Sequence, residues 1–388
     1  MPRRLTKKLN ISLVSGKLLK KTQKHTKHTQ KLISSSQNTY PLYKNAYKLN
    51  ISRITNIANN IVNNIVNSIV NNMKSQMHIY SKPPNTYKGY PATRFKTLDF
   101  MGKQKQKQTQ YYIIKSSWDD NLELNSLTDY FTEPCRIQCT FKNRLSPLEY
   151  WNKNRKSILD TLKKKHQVIN NYNLREEMYI RNKPCNNFRI SVCLEVLKLF
   201  TPIKWLDISA GWGDRLLSAL LYAQLNTQFK LYCGVDPNPC LHPYYQEMIN
   251  TFNNTERQKD ANANANANAN ANAKYILIKD GFETAKLPNT KFDLVFSSPP
   301  FFDLEIYSTS IANSTVKYKG EDGWFNGFLI PSLYKSEEYL EEGGHLVLYM
   351  GESKGTKYIP KMIELMNVRM KNIGMFYYTD GDKIIFTQ

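Results

Sequence analysis

Asp207-Ile208-Ser209-Ala210-Gly211-Trp212-Gly213-Asp214 follows the apolar run Ile203-Lys204-Trp205-Leu206 and precedes Leu216, Leu217, Leu220 and Leu221 at helical spacing. A strand, a glycine-bearing turn and a helix in that order open a parallel α/β sheet. The alternation continues outward. Leu231 to Val235 reads as a second strand ending at Asp236, Tyr275 to Lys279 as a third ending at Asp280, and Phe292 to Phe296 as a fourth. Gly344 to Met350 reads as a fifth, and Met375 to Tyr378 with Lys383 to Thr387 as a closing antiparallel hairpin around Asp380-Gly381.

In an open parallel sheet, ligands bind beyond the carboxyl ends of the strands, where the strand order reverses. The Asp207–Asp214 loop stands at that point if its strand is central. Gly211 and Gly213 let backbone approach a ligand, and the helix after them presents free N–H groups. Asp236 can accept both hydroxyls of a ribose, and Asp280-Gly281-Phe282 can meet the edge and face of an adenine. These positions alone leave a dinucleotide and S-adenosylmethionine both open. Leu216 stands where a dinucleotide fingerprint has its third glycine. Acids at Asp207 and Asp214 suit a sulfonium and an ammonium better than a pyrophosphate. The methyl donor is favoured.

Ser298-Pro299-Pro300-Phe301 follows the fourth strand directly. Two prolines cannot continue a ladder and fix a stiff turn. That turn aims the Ser298 side chain and the Pro299 carbonyl into the site, where two acceptors can grip the hydrogens of an amine conjugated to a ring. Phe301 can lie against the ring face. Asp303, Glu305 and Tyr307 alternate after the motif and are candidates for the substrate mouth. Trp324 is a further substrate candidate, with packing the favoured reading.

Together, Asp207–Asp214, Gly234-Val235-Asp236-Pro237-Asn238 and Ser298–Phe301 resemble the S-adenosylmethionine-dependent amino-methyltransferases of nucleic acids, over roughly Cys185 to Met350. The resemblance implies a Rossmann-like sheet of seven strands with a terminal antiparallel hairpin. It implies that Ser298, Pro299, Pro300 and Phe301 carry catalysis, and that Asp207, Ser209, Gly211 and Gly213 meet the methionine part of the cofactor, with Asp214 in the same set. Asp236 then takes the ribose, Asp280 and Phe282 the adenine, and Asn186 to Arg189 add a contact. The expected activity is methyl transfer to an exocyclic base amine. Motif order favours adenine N6, and serine at position 298 points to cytosine N4 as the alternative. A glutamine-methylating enzyme and a silent nucleic-acid-binding partner subunit are further readings.

Around this domain, assigned to 171–388, the chain is uneven. Formal charge is +22 over 388 residues. Residues 1 to 98 carry 18 Lys and Arg and no acid, leaving 36 basic against 32 acidic side chains beyond them. So long a block of like charge predicts a partly disordered, low-complexity region that attracts a polyanion, and nucleic acid is the expected partner. A presequence is disfavoured because the block is rich in Lys rather than Arg. Residues 61–72 repeat a tetrad, Ile61-Val62-Asn63-Asn64 onward, and Ala261 to Ala273 alternate Ala and Asn; both read as low-complexity sequence, the second a surface insertion. Residues 99–170 read as a folded accessory segment in which Ser146-Pro147-Leu148-Glu149 starts a helix.

No stretch approaches the roughly 20 apolar residues of a membrane span, and no secretion signal is read. An intracellular site is expected, with a protein partner or second copy compatible. Six cysteines at these spacings give no zinc knuckle and no disulfide framework, so buried reduced thiols are expected and no metal ligand is assigned.

Overall fold

The computed structural model describes residues 40–60, 77–80, 96–101, 110–115, 122–141, 144–182, 184–260, 273–303, 305–307, 312–351, 356–380 and 383–385. The basic tail up to residue 39, the tetrad repeat and all but the last residue of the Ala-Asn run lie outside them. The chain divides into two units, Met1–Pro41 and Leu42–Gln388, and every strand and main helix of the fold belongs to the second.

Its strands are β1 (Met77–Tyr80), β2 (Lys96–Met101), β3 (Gln110–Lys115), β4 (Thr140–Phe141), β5 (Lys204–Asp207), β6 (Leu231–Val235), β7 (Lys274–Ile278), β8 (Phe292–Ser297), β9 (Glu305–Ile306), β10 (Leu340–Met350), β11 (Lys371–Asp380) and β12 (Lys383–Ile385). Five of them, in the order β10-β8-β5-β6-β7, form a parallel sheet with β5 at its centre. That is the Rossmann-like arrangement read from the sequence.

The main helices are α1 (Leu122–Arg136), α2 (Pro147–Lys164), α3 (Asn171–Arg181), α4 (Ile190–Phe200), α5 (Asp214–Leu225), α6 (His242–Asp260), α7 (Ile330–Tyr339) and α8 (Tyr358–Asn367). Strand side chains alternate between the two faces of the sheet. Trp205, Tyr232, Leu294, Phe296 and Val347 enter one core with α4, α5 and α6. Leu206, Cys233, Val295, Leu346 and Leu348 enter the other with α7 and α8. Both faces are buried, which is why these strands read as continuous apolar runs.

Outside the parallel strands the sheet differs from the expected seven. Among the described residues it has ten strands. β11 and β12 pair antiparallel, Thr379 opposite Ile384. The place beside β10, however, belongs to β2, antiparallel with Leu98 opposite Leu348, and β11 pairs with the far side of β2. β3 and β1 extend the edge. Part of the region read as a low-complexity tail is therefore in the sheet. Its net charge masked short alternating runs such as Met77-His78-Ile79-Tyr80.

The accessory segment shares the first core, to which α1 contributes Leu127, Phe131 and Cys135. The helix start at Ser146 forms as read. Its hydroxyl accepts from Glu149 N–H at 3.2 Å, and Glu149 Oε2 accepts from Ser146 N–H at 3.0 Å. The cysteine expectation needs correction. Cys135 on α1 is disulfide-bonded to Cys240, with Cα atoms 5.9 Å apart, because packing brings together two thiols that stand 105 residues apart. Cys139, Cys185, Cys193 and Cys233 are buried thiols. Alkylation of the unfolded protein should therefore label four cysteines without reductant and six after reduction, read by mass spectrometry.

Candidate active site

At one edge of the sheet β5 ends at Asp207, β6 at Val235, β7 at Ile278 and β8 at Ser297. The loop from β5 turns through Gly211 at φ 61° and Gly213 at φ 92°, a region L side chains rarely adopt. A Cβ on Gly213 would come within 3.1 Å of Met248 Cε. At Gly211 a Cβ would meet Arg215 Nη2 and the Ser209 carbonyl at 3.7 Å each, ordinary van der Waals contact, so its positive φ rather than crowding calls for glycine.

Asp207 does not face this space. It is wholly buried, and Oδ2 accepts from Arg215 Nε at 2.9 Å and from the Tyr232 hydroxyl at 2.8 Å. Oδ1 accepts from Ser297 Oγ at 2.7 Å and from Ser209 N–H at 3.3 Å. Arg215 also donates to the Ser209 carbonyl. The acid read as a cofactor contact thus ties the end of β5 to the end of β8 and, through the Tyr232 hydroxyl, to β6. Burial, then the neighbouring Asp207 carboxylate, holds the Tyr232 phenol well above its ordinary range.

Asp214 is likewise enclosed. Oδ1 accepts from Thr128 Oγ1 at 2.5 Å and Oδ2 from Phe188 N–H at 3.1 Å, so it fastens α5 to α1 and to the segment before α4. The Asn187 amide bridges Thr128 and Asp129 at 3.0 Å each, and Asp129 pairs with Arg136 at 2.5 Å and Arg175 at 3.0 Å. A buried polar chain therefore runs from the glycine loop into the accessory helices.

Burial pushes Asp214 up to about 7 and Asp236 up to about 6. Both folded-state values exceed the unfolded one, so the native state holds extra protons between about pH 4 and 7 and stability falls as pH rises through that window. Asp214→Asn should flatten this slope, measured by urea denaturation at pH 5 and pH 8.

Asp236 stays within reach of the loop. Its carboxylate accepts from Gly211 N–H and Asn238 N–H, both at 2.9 Å. Asp280 is exposed, and its Oδ1 accepts from Gly281 N–H at 2.8 Å and the Thr284 hydroxyl at 3.1 Å. Ser209, on the loop itself, is half-buried. Phe282 departs from its expected place. It is 1% exposed, packs in the second core, and has the Lys335 ammonium 5.1 Å from its ring centre. Placed so, its ring offers no face to an adenine; the apolar need of the core outweighs the reading from its neighbours.

Beyond β8, Ser298 is half-buried and Pro299 buried, with Pro300 and Phe301 half-buried. Among the described residues, no hydrogen bond engages the Ser298 hydroxyl. Phe301 lies 5.9 Å from Tyr349, which meets Phe188 edge-on at 5.4 Å, so three aromatic rings border the motif. Asp303 is exposed. Backbone pairing of Glu305–Ile306 with Thr140–Phe141 anchors the next stretch to the accessory segment. Tyr307 packs half-buried against Trp212, ring centres 5.7 Å apart. Trp324 is fully buried, donates to Ser314 Oγ at 3.2 Å and packs on Tyr358 and Phe328. Its substrate assignment is corrected to packing.

Sequence reading missed Arg215, Tyr232, Ser297, Thr128 and Tyr349. Ser297 was hidden by its neighbour Ser298 and Arg215 by its place in the helix that follows the loop, whereas Tyr232, Thr128 and Tyr349 reach the site from other strands and helices. Exposed Asp280, buried Asp236 and the backbone of the glycine turn offer carboxylates and peptide groups of the kind that suit a cationic nucleoside such as S-adenosylmethionine. A groove of about 930 Å³ lined by Glu283, Tyr334, Lys335 and Arg369 includes none of the site residues. Among the described residues, no group of three His, Cys, Asp or Glu could hold a metal ion, and no helix is long and apolar enough to cross a membrane.

No protein-family model and no curated protein matches the chain. Among solved structures, it is similar to a candidate class I S-adenosylmethionine-dependent methyltransferase from Listeria monocytogenes, at 13% identity over 64% of this chain and 80% of that one, with a TM-score of 0.29.

Proposed function

We propose that this chain transfers a methyl group from S-adenosylmethionine to the exocyclic amine of a nucleic acid base, adenine N6 in the first place. One observation carries the reading. The 2.7 Å bond from Ser297 to Asp207 sets the Ser298–Phe301 turn and the glycine loop side by side at the carboxyl edge of the sheet. Serine at 298, which in the family this motif resembles goes more often with cytosine, makes cytosine N4 the second reading.

Bound S-adenosylmethionine supplies a methyl carbon made electrophilic by its sulfonium. Asp236 and Asp280 hold the nucleoside end of that cofactor, and Ser209 with the backbone at Gly211 and Gly213 holds the other. The Ser298 hydroxyl and the Pro299 carbonyl accept the two amino hydrogens, drawing the nitrogen lone pair out of ring conjugation. Phe301, backed by Tyr349, lies on the base. As the nitrogen–carbon bond forms, the methyl–sulfur bond would break to leave neutral S-adenosylhomocysteine, and the surplus proton would pass from the nitrogen to water near exposed Asp303.

Incubation with mixed DNA and RNA, followed by nucleoside mass spectrometry, tests this. N6-methyladenine is the expected product, and N4-methylcytosine supports the second reading. Label found only in protein, or no transfer to either polymer, overturns it.

A further inference from the structure

The helical hairpin α2–α3 carries a cationic face that the chemistry above does not use. Trp151, Ile158 and Leu162 are the buried stripe of α2. At about 3.6 residues per turn, Lys153, Lys156, Lys163 and Lys164 fall on the opposite side, within an arc of about 100°. All four are exposed, and among the described residues none is in an ion pair. Two acids share that side, Asp160 and, in the first turn, Glu149, which is engaged in the Ser146 capping box. Past the helix end, residues 165–172 are all exposed, including Val168 at 72%, Ile169 at 46% and Tyr172 at 45%. Tyr47 supports the Tyr172 ring edge-on at 5.3 Å.

The hairpin is also rigidly rooted near the site. Asn182 donates to the Leu145 carbonyl at 3.0 Å, and Arg181 joins the helices through Thr161 at 2.6 Å. The chain leaving α3 supplies Phe188 to the Asp214 network. From that root, 18 helical residues reach about 27 Å outward.

We infer that this hairpin is a second nucleic-acid contact, separate from the basic N-terminal region, which grips a single-stranded segment beside the methylated base. The lysine row meets phosphates, and Tyr172 with Val168 and Ile169 gives unpaired bases an apolar surface that a stacked duplex would leave uncovered. The inference rests on the nucleic-acid part of the proposed function, not on methyl transfer.

Fluorescence anisotropy of the full chain with a labelled oligonucleotide tests it, as single-stranded DNA, as RNA of the same sequence, and as duplex. Each lost phosphate contact removes about 0.7 from the slope of log K against log salt for a single strand. The variant Lys156→Glu/Lys163→Glu/Lys164→Glu should lower that slope by about 2 on both single strands. Lys230→Glu/Lys274→Glu/Lys286→Glu, three exposed lysines outside the hairpin, should leave it near the wild-type value. Tyr172→Ala should weaken single-strand binding at least about fivefold and spare the duplex. Nucleoside mass spectrometry on the same wild-type mixtures reads methyl transfer, so failure of the catalytic assignment is seen separately from loss of hairpin binding. An unchanged slope in the hairpin variant, an equal loss in the control, or intact single-strand binding in Tyr172→Ala overturns the inference.

Discussion

Ser298→Ala should lower kcat for methyl transfer on the order of a hundredfold, the cost of deleting one preorganised hydrogen-bonding partner of a reacting group. Binding of S-adenosylmethionine, measured by calorimetry, should not move, because the residues proposed to hold the cofactor lie at the ends of β5, β6 and β7 and do not include Ser298. Phe301→Ala should act differently. Loss of one base–aromatic stack costs about 1–3 kcal/mol, or roughly 5- to 150-fold, and should fall mainly on the KM of the nucleic acid. Tyr349, 5.9 Å behind Phe301, limits how far a neighbouring ring can take its place. Both effects are read from transfer of labelled methyl groups at saturating cofactor. Unchanged transfer in both variants removes this turn from the site. A fall in cofactor affinity instead of kcat would move Ser298 to the cofactor side.

The parallel strands were legible because each is a short apolar run closed by a polar residue, and burial of both sheet faces demands that pattern. The turn at Gly211 and Gly213 was legible because its backbone requires positive φ. Other features depend on distant partners. Whether Asp207 meets a ligand or an arginine is decided by Arg215, at the start of α5, and by Tyr232 on the neighbouring strand. Phe282 follows an exposed acid, yet its ring turns into the core formed with α7 and α8. β2 was missed because it pairs with β10 across more than 200 residues of sequence, and its short run Lys96–Met101 straddles the end of the acid-free basic region. Local pattern specifies elements, whereas the role of a polar side chain is set by what packs against it.

Asp207→Ala offers the sharpest separation of those roles. The substitution leaves the Arg215 guanidinium, 4% exposed, without its carboxylate and strips the Tyr232 and Ser297 hydroxyls of their acceptor. Breaking a buried pair from one side costs about 3–5 kcal/mol, because the remaining charge stays buried. Urea denaturation should show a lower midpoint with an unchanged slope. Tyr232→Phe and Ser297→Ala each remove one hydrogen bond and should cost about 0.5–1.5 kcal/mol. In Asp207→Ala/Arg215→Met the orphaned charge is gone, so much of the loss should return, and the two substitutions should be strongly non-additive. A carboxylate that instead served the cofactor would behave otherwise. Asp207→Ala would then keep its stability and lose S-adenosylmethionine affinity, and the arginine substitution would restore nothing.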